Sequence, residues 1–423
     1  MKKILLFFII CLTEMITLQA QNEYTATYVD LGRQSGVLYQ PVQKTPKAGI
    51  SIIVMHSHQD YLNFIANAEL AKRGYTVLAT IPDQTEVMEN KLMNIKSAVE
   101  YLRKRENINQ VLLLGHSGGA TVMTAYEYLA ENGRKGLENK LYQDYSSRID
   151  HLPYADGILL FDANPGLSTV MLNSLDPNVT DETTGFQKSR PYSYDQEKEY
   201  MYGQQMRYSK LVKSALERLK KIKEGTGRFA DDEPLLIPAS NSIRFYNKLY
   251  SSNTALLNHT KKKWPLIHAD GSITIDTVYS VRAPFRPHNN TELLSAAQNM
   301  TIRGFLSSFA MIVDENYEVL PDGFRGIHFN SNLTSPIGNI EGIHIPSLFM
   351  GMTGSYEYLT SEAIYEKSPA TDKTLTFVEG ASHMFTADKQ AESYNHTNYG
   401  NTVKNMFNFV DEWIVKRFVN KLK

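Results

Sequence analysis

The sequence predicts an α/β protein, a doubly wound and mostly parallel sheet carrying a large, mainly helical insertion. Three observations lead there. Short apolar runs of strand length alternate with amphipathic helical stretches between residues 50 and 165. One of those runs meets its helix at Gly115-His116-Ser117-Gly118-Gly119, a G-x-S-x-G turn. The rhythm then stops at Pro165 and resumes at Ile345, leaving about 180 residues, too many for a loop, to form structure of their own.

The chain opens with a basic start, Met1-Lys2-Lys3, then an apolar run from Ile4 to Leu12 and a small residue, Ala20, ahead of residue 21. This is the pattern of a secretory signal peptide over residues 1–20, and it predicts an exported, periplasmic protein. Cys11, the only cysteine, falls inside it, so the mature chain is expected to carry no disulfide and no cysteine metal ligand.

Residues 26–42 alternate as a hairpin does, with Gly36 near the turn, and Ile50–Met55 reads as a strand ending in His56-Ser57-His58. Leu62–Arg73 reads as a helix and Tyr75–Ile81 as a strand, and Leu92, Ile95, Val99 and Leu102 mark one face of the next helix. Residues 110–114, Gln-Val-Leu-Leu-Leu, have the continuous apolar character of a buried parallel strand. Val122, Ala125, Tyr126 and Leu129 share a helical face, and Gly133 stops that helix. Gly157–Phe161 is a further strand, ending in Asp162-Ala163-Asn164-Pro165-Gly166. Strand and helix in this alternation imply right-handed crossovers.

Within the insertion a long helix runs from Gln196 to Lys223, its Lys- and Glu-rich side a solvated face, and Ser272–Ser280 and Thr301–Val313 suggest further elements. After it come a strand (345–350), a helix near 360–367, a strand (373–378) and a terminal helix burying Val403, Met406, Phe407, Val410, Trp413, Ile414 and Phe418. The expected division is a core of residues 21–165 and 345–423 and a cap or lid of residues 166–344.

Composition excludes some partners. The formal net charge of −1 gives no basic field for nucleic acid or a membrane surface, and no later segment is apolar enough to span a bilayer. Hydrophobic residues make up 42% of the chain, enough for a full core.

The tight turn at Ser117 lifts a hydroxyl above the sheet, and the following helix N-terminus favours negative charge there. A serine needs a base to become a nucleophile. Of eleven histidines, His383 has the right address, on the loop after the last predicted strand in Thr376-Phe377-Val378-Glu379-Gly380-Ala381-Ser382-His383. One oxyanion donor is then expected from the Gly118 N–H.

On Met55-His56-Ser57-His58, Gly115–Gly119 and Gly380-Ala381-Ser382-His383, the chain resembles the α/β-hydrolase superfamily, in its serine esterase and lipase-like branch, over residues 26–165 and 340–421. The resemblance implies an ester hydrolase without cofactor or metal, acting on a small-molecule ester, with a Ser117–His383 pair completed by an acid. The family usually places that acid after the strand ending Phe349-Met350-Gly351. No aspartate stands there, while some members carry it one strand earlier, where this chain has Asp162; Glu357 and Glu362 are the alternatives. The resemblance also implies a second oxyanion N–H from the loop after the third strand, and His58 fits that position better than Ser57.

Two competing readings stay open. His56, His58 and Asp60 match the H-x-H-x-D spacing of some metal-dependent hydrolases, although Tyr61 replaces the histidine expected next. The fold also hosts binding proteins that have lost activity. In the insertion, Tyr200, Tyr202 and Tyr208, with Met201 and Met206, do not share one helical stripe, so some must face a groove or solvent. The helix is either a cap packed on the core or an aromatic wall for an apolar or ring-containing substrate, with these tyrosines as the candidate binding residues.

Overall fold

The computed structural model describes residues 23–179, 181–182, 192–193, 196–240, 253–285 and 297–420. The expected signal peptide, Cys11 included, lies outside the described residues. In chain order the strands are β1 (Tyr24–Asp30), β2 (Ser35–Pro41), β3 (Ile50–Val54), β4 (Thr76–Thr80), β5 (Gln110–His116), β6 (Gly157–Phe161), β7 (Pro234–Ile237), β8 (His259–Ile267), β9 (Ile273–Tyr279), β10 (Gln298–Thr301), β11 (Ile312–Leu320), β12 (Gly323–His328), β13 (Ser347–Met352) and β14 (Lys373–Val378). Ten of them form one sheet in the order β1-β2-β4-β3-β5-β6-β13-β14-β8-β9. From β4 to β8 every neighbouring pair is parallel, while β1, β2 and β9 run antiparallel at the two edges.

The period of two along β5 explains why the sheet is buried on both sides. Val111 and Leu113 face one core with Leu92, Val122 and Tyr126, from the helices α2 (Met88–Arg103) and α3 (Gly119–Asn132). Leu112 and Leu114 face the other with Ala66 and Leu70 of α1 (Ile65–Lys72) and Phe407, Val410 and Trp413 of the helix Thr402–Ile414. All four strand residues are fully buried, each worth about 1.5–3 kcal/mol of transfer free energy.

The insertion contains α4 (Leu167–Ser174), the 27-residue α5 (Glu197–Lys223) and two small sheets, β7 with β10 and β11 with β12. It is not confined to a cap. β8 lies parallel to β14, with Leu266 beside Phe377 and Ile267 beside Val378, and β9 closes the edge. The expected boundary at residue 345 therefore gives way to an insertion that finishes the main sheet. Three consecutive lysines in β8 hid that strand from a search for apolar runs, whereas β9 falls within the element expected over Ser272–Ser280. Among the described residues no helix is long and apolar enough to cross a membrane.

Candidate active site

β5 ends at His116 and α3 begins at Gly119, leaving two residues for the reversal. Ser117 occupies it at φ +54°, a left-handed conformation that costs a non-glycine residue of order 1 kcal/mol or more and needs surrounding structure to hold it. The Ser117 N–H donates to Phe161 O at 3.3 Å, and its carbonyl accepts from Asn164 N at 3.3 Å and Ala120 N at 3.1 Å. A Cβ on Gly115 would lie 2.6 Å from Ala120 Cα, and one on Gly119 would lie 2.6 Å from Met55 O. The flanking glycines are thus required by contact between strand, helix and the β3 loop.

His383 follows β14 and its Nδ1 lies 2.6 Å from Asp162 Oδ2. Asp162, directly after β6, is fully buried. Its Oδ1 accepts from Met352 N at 3.1 Å, and its own N–H donates to Met350 O at 2.7 Å, so the carboxylate is fixed between β6 and β13. The backbone of His383 is fixed as well: His116 Nε2 donates to His383 O at 2.7 Å, and the Tyr61 hydroxyl donates to His116 Nδ1 at 2.7 Å. Burial, and then the neighbouring His383, keep the His116 pKa well below the usual range for histidine, so His116 stays neutral with its proton on Nε2. Sequence reasoning missed His116 as an anchor; its place inside the G-x-S-x-G turn is the available signal.

Glu357 also enters the site. Its Oε2 lies 3.7 Å from His383 Nδ1 and accepts from Ser117 Oγ at 3.4 Å, a long bond. Asp162, Glu357 and His383 each bring a ligand-type atom within 4.8 Å of the others. Both acid positions considered from the sequence, after β6 and after β13, thus carry a carboxylate at the histidine. Glu362 does not: its carboxylate accepts from Lys261 N, Lys262 N and Trp264 Nε1, which ties β8 to the helix Thr360–Lys367.

The loop after β3 departs from expectation. His58 N donates at 3.1 Å to His56 Nδ1, which also accepts from Gln59 N at 3.0 Å. With its N–H spent inside the loop, His58 does not offer the oxyanion donor expected of it. Its ring is committed too, Nδ1 to Ser57 Oγ at 2.7 Å and Nε2 to Glu86 Oε2 at 2.8 Å. Lys91, its side chain wholly buried, closes this network by donating to Ser57 O at 2.6 Å and Glu86 Oε2 at 3.0 Å. The residues of the metal reading are not brought together as a ligand set: His56 Nδ1 and His58 Nδ1 bond within the loop, His58 Nε2 bonds to Glu86, and Asp60 Oδ1 accepts from Leu62 N. Among the described residues the group with metal-ligand spacing is Asp162, Glu357 and His383 instead. Gly118 stands at the start of α3, where helix geometry leaves N–H groups without an intrahelical acceptor.

The three tyrosines do not wall the site. Tyr208 is buried, its hydroxyl donating to Phe309 O at 2.5 Å and accepting from Met311 N at 2.9 Å. Tyr200 is buried within the same core, and Tyr202 is 48% exposed. The cavity beside the site lies elsewhere, about 170 Å3 between Leu257, Phe324 and Phe329 of the insertion and Pro165, Leu359 and Ala363, and Glu357 forms part of its wall.

A strand order of 1-2-4-3-5-6-13-14 in chain numbering, with the tight turn after β5, a buried acid after β6 and a histidine after β14, defines an α/β-hydrolase fold. No family model matches the chain, and no curated protein does. Among solved structures it is similar to esterase B from Lactobacillus rhamnosis, at 10% identity over 93% of this chain and 88% of that one, with a TM-score of 0.41. Est1E from Butyrivibrio proteoclasticus is similar at 11% identity over 92% and 99%, with a TM-score of 0.40. Carboxyl esterase 2 from the mycorrhizal fungus Tuber melanosporum is similar at 11% over 93% and 87%, with a TM-score of 0.41.

Proposed function

We propose that the protein is an exported serine hydrolase that cleaves a carboxylic ester through an acyl-enzyme on Ser117. The observation that carries this reading is the left-handed Ser117 at the end of β5 opposite a histidine whose Nδ1 is held at 2.6 Å by buried Asp162. With Nδ1–H bound to the carboxylate, the other ring nitrogen of His383 is the basic one. It takes the Ser117 proton as Oγ adds to the acyl carbon, after the hydroxyl turns away from its long bond to Glu357. The carbonyl electrons move to the oxygen, which the Gly118 N–H receives. Collapse expels the alcohol with the proton from His383, and a water activated by the same histidine releases the acid.

The cavity beside Glu357, about 170 Å3, is apolar at Leu257, Phe324 and Phe329 and charged at Lys261, Asp322, Glu366 and Lys367, and its volume is close to the roughly 150 Å3 that accommodates benzene. One half of the ester is accordingly a single ring or a short chain. Export follows from residues 1–20, and N-terminal sequencing of the periplasmic protein should begin near residue 21.

A fluorophosphonate probe tests the chemistry, because it reacts with activated serines and spares ordinary ones. Labelling is expected at Ser117, lost in Ser117→Ala and His383→Ala, and unchanged by EDTA. An unlabelled protein with metal-dependent turnover overturns the reading.

A further inference from the structure

We propose that the oxyanion is held by two side chains, His56 through Nε2–H and Asn164 through its Nδ2 amide, acting with the Gly118 N–H. The inference rests on the acyl chemistry at Ser117 proposed above, and it supplies the donor that His58 cannot.

The position is marked by Gly118. A Cβ built there would lie 3.4 Å from His56 Nε2, 3.4 Å from Asn164 Nδ2 and 2.3 Å from Ser57 Oγ. Three polar side-chain atoms therefore converge on the residue next to the nucleophile, and glycine is the residue that leaves room between them.

Two of the three are donors by necessity. His56 Nδ1 accepts two backbone N–H groups, from His58 and Gln59, so in the neutral ring the proton must sit on Nε2. The ring is neutral because burial, and then the nearby His58 and His383, press its pKa well below the usual range. Asn164 is oriented by the same logic. Its Oδ1 accepts from Gly166 N at 3.1 Å and Thr121 Oγ1 at 3.5 Å, which leaves the NH2 group on the Gly118 side. Among the described residues no acceptor takes either His56 Nε2–H or the Asn164 amide protons.

The third atom is not a donor. Glu86 accepts from His58 Nε2 and Lys91 holds Glu86 in place, so His58 Nδ1 carries the lone pair and draws the Ser57 hydroxyl proton towards itself. Ser57 walls the site, and the His58–Glu86–Lys91 network keeps its hydrogen from competing.

A neutral imidazole and an amide suit this task. Each presents an N–H dipole fixed before the charge develops, and in a site of low polarity such preorganised donors stabilise the transition state more than the ground state. Both keep their protons throughout; the one that moves passes from Ser117 Oγ to His383.

The test uses the full mature chain. His56→Asn keeps an acceptor where Nδ1 stood and deletes the Nε2 donor. Asn164→Asp keeps the acceptor for Gly166 and deletes the NH2 group, whereas Asn164→Ala deletes both. Turnover of a small acetyl ester is measured with the affinity of a trifluoromethyl ketone, whose adduct on Ser117 carries the same oxyanion. Each of the three variants is expected to lose about 10²–10³ in kcat while KM stays within about threefold, and ketone affinity should fall in step with kcat. Variants with wild-type melting temperature, kcat and ketone affinity overturn the assignment, as does an Asn164→Asp variant that restores what Asn164→Ala loses. Wild-type protein that takes no fluorophosphonate label at Ser117 removes the acyl chemistry and this assignment with it.

Discussion

Replacing Asp162 by Asn removes the carboxylate 2.6 Å from His383 Nδ1 and leaves the Glu357 carboxylate 3.7 Å from the same atom. Both carboxylates are buried, so an effective dielectric of about 20 is a fair basis for comparing them, giving attractions to an imidazolium of about 6 and about 4.5 kcal/mol. The difference, about 2 kcal/mol, corresponds to roughly 25-fold in rate. Loss of a lone triad acid ordinarily costs about 10⁴ in kcat. Here Asp162→Asn should cost only about 10–10² because Glu357 still favours the imidazolium, Glu357→Gln should cost a few-fold, and the double variant should approach the full loss. The assay is kcat for a soluble acetyl ester at pH 8 for all four proteins, with melting temperatures as a control on folding. The non-additivity is the signature of two groups serving one atom. A full loss from Asp162→Asn, with no further effect of Glu357→Gln in that background, refutes the argument. A larger effect of Glu357→Gln than of Asp162→Asn would instead make Glu357 the principal acid.

Filling the cavity beside Glu357 with Ala363→Phe should lower kcat/KM for benzoyl-sized esters at least about tenfold more than for acetyl esters; an unchanged ratio would move the substrate elsewhere. Tyr208→Phe should cost about 1–3 kcal/mol in chemical denaturation, through the unsatisfied Met311 N–H and Phe309 carbonyl, with KM unaltered; a changed KM at native stability would return Tyr208 to the substrate wall. Burial raises the Glu127 carboxyl to about 8 from an ordinary 4.5. Folding therefore takes up a proton between those values, and the stability this group allows is full below the lower one and is lost as pH rises through 8. Glu127→Gln should accordingly change stability little near pH 5 and raise it by up to about 5 kcal/mol near pH 9; a flat difference between the two pH values would show that folding does not raise the Glu127 carboxyl.

What could be read from the sequence was what depends on local pattern. The turn at Ser117 announces itself through two glycines between an apolar strand and an amphipathic helix, and His383 follows from counting strands. Asp162 was one of three candidates, and the pairing of β6 between β5 and β13 is what brings it to His383. Other features depend on which way a group turns after folding. Nothing in His56-Ser57-His58 says that the first ring folds back to take the third residue's N–H. The Asn164 amide gains meaning only once the β3 loop is set against α3. For the tyrosines of α5 the sequence left core packing and a substrate wall both open, because Phe309, which takes the Tyr208 hydroxyl, comes 101 residues later.

The two insertion strands at the sheet's edge set a timetable for synthesis. β8 rests on β14, which leaves the ribosome roughly 100 residues after it, so the segment from 259 to 279 must wait, its edge unpaired, until the chain is nearly complete. Ile273, Ile275 and Tyr279 of β9 stay exposed even in the finished fold, and while waiting they form an open, apolar ribbon of the kind that recruits strands from other chains. A shortened protein ending before β14 should therefore aggregate rather than persist as a folded fragment. Removing residues 166–344 to make a minimal enzyme would likewise strip β14 of its neighbour and expose a new edge.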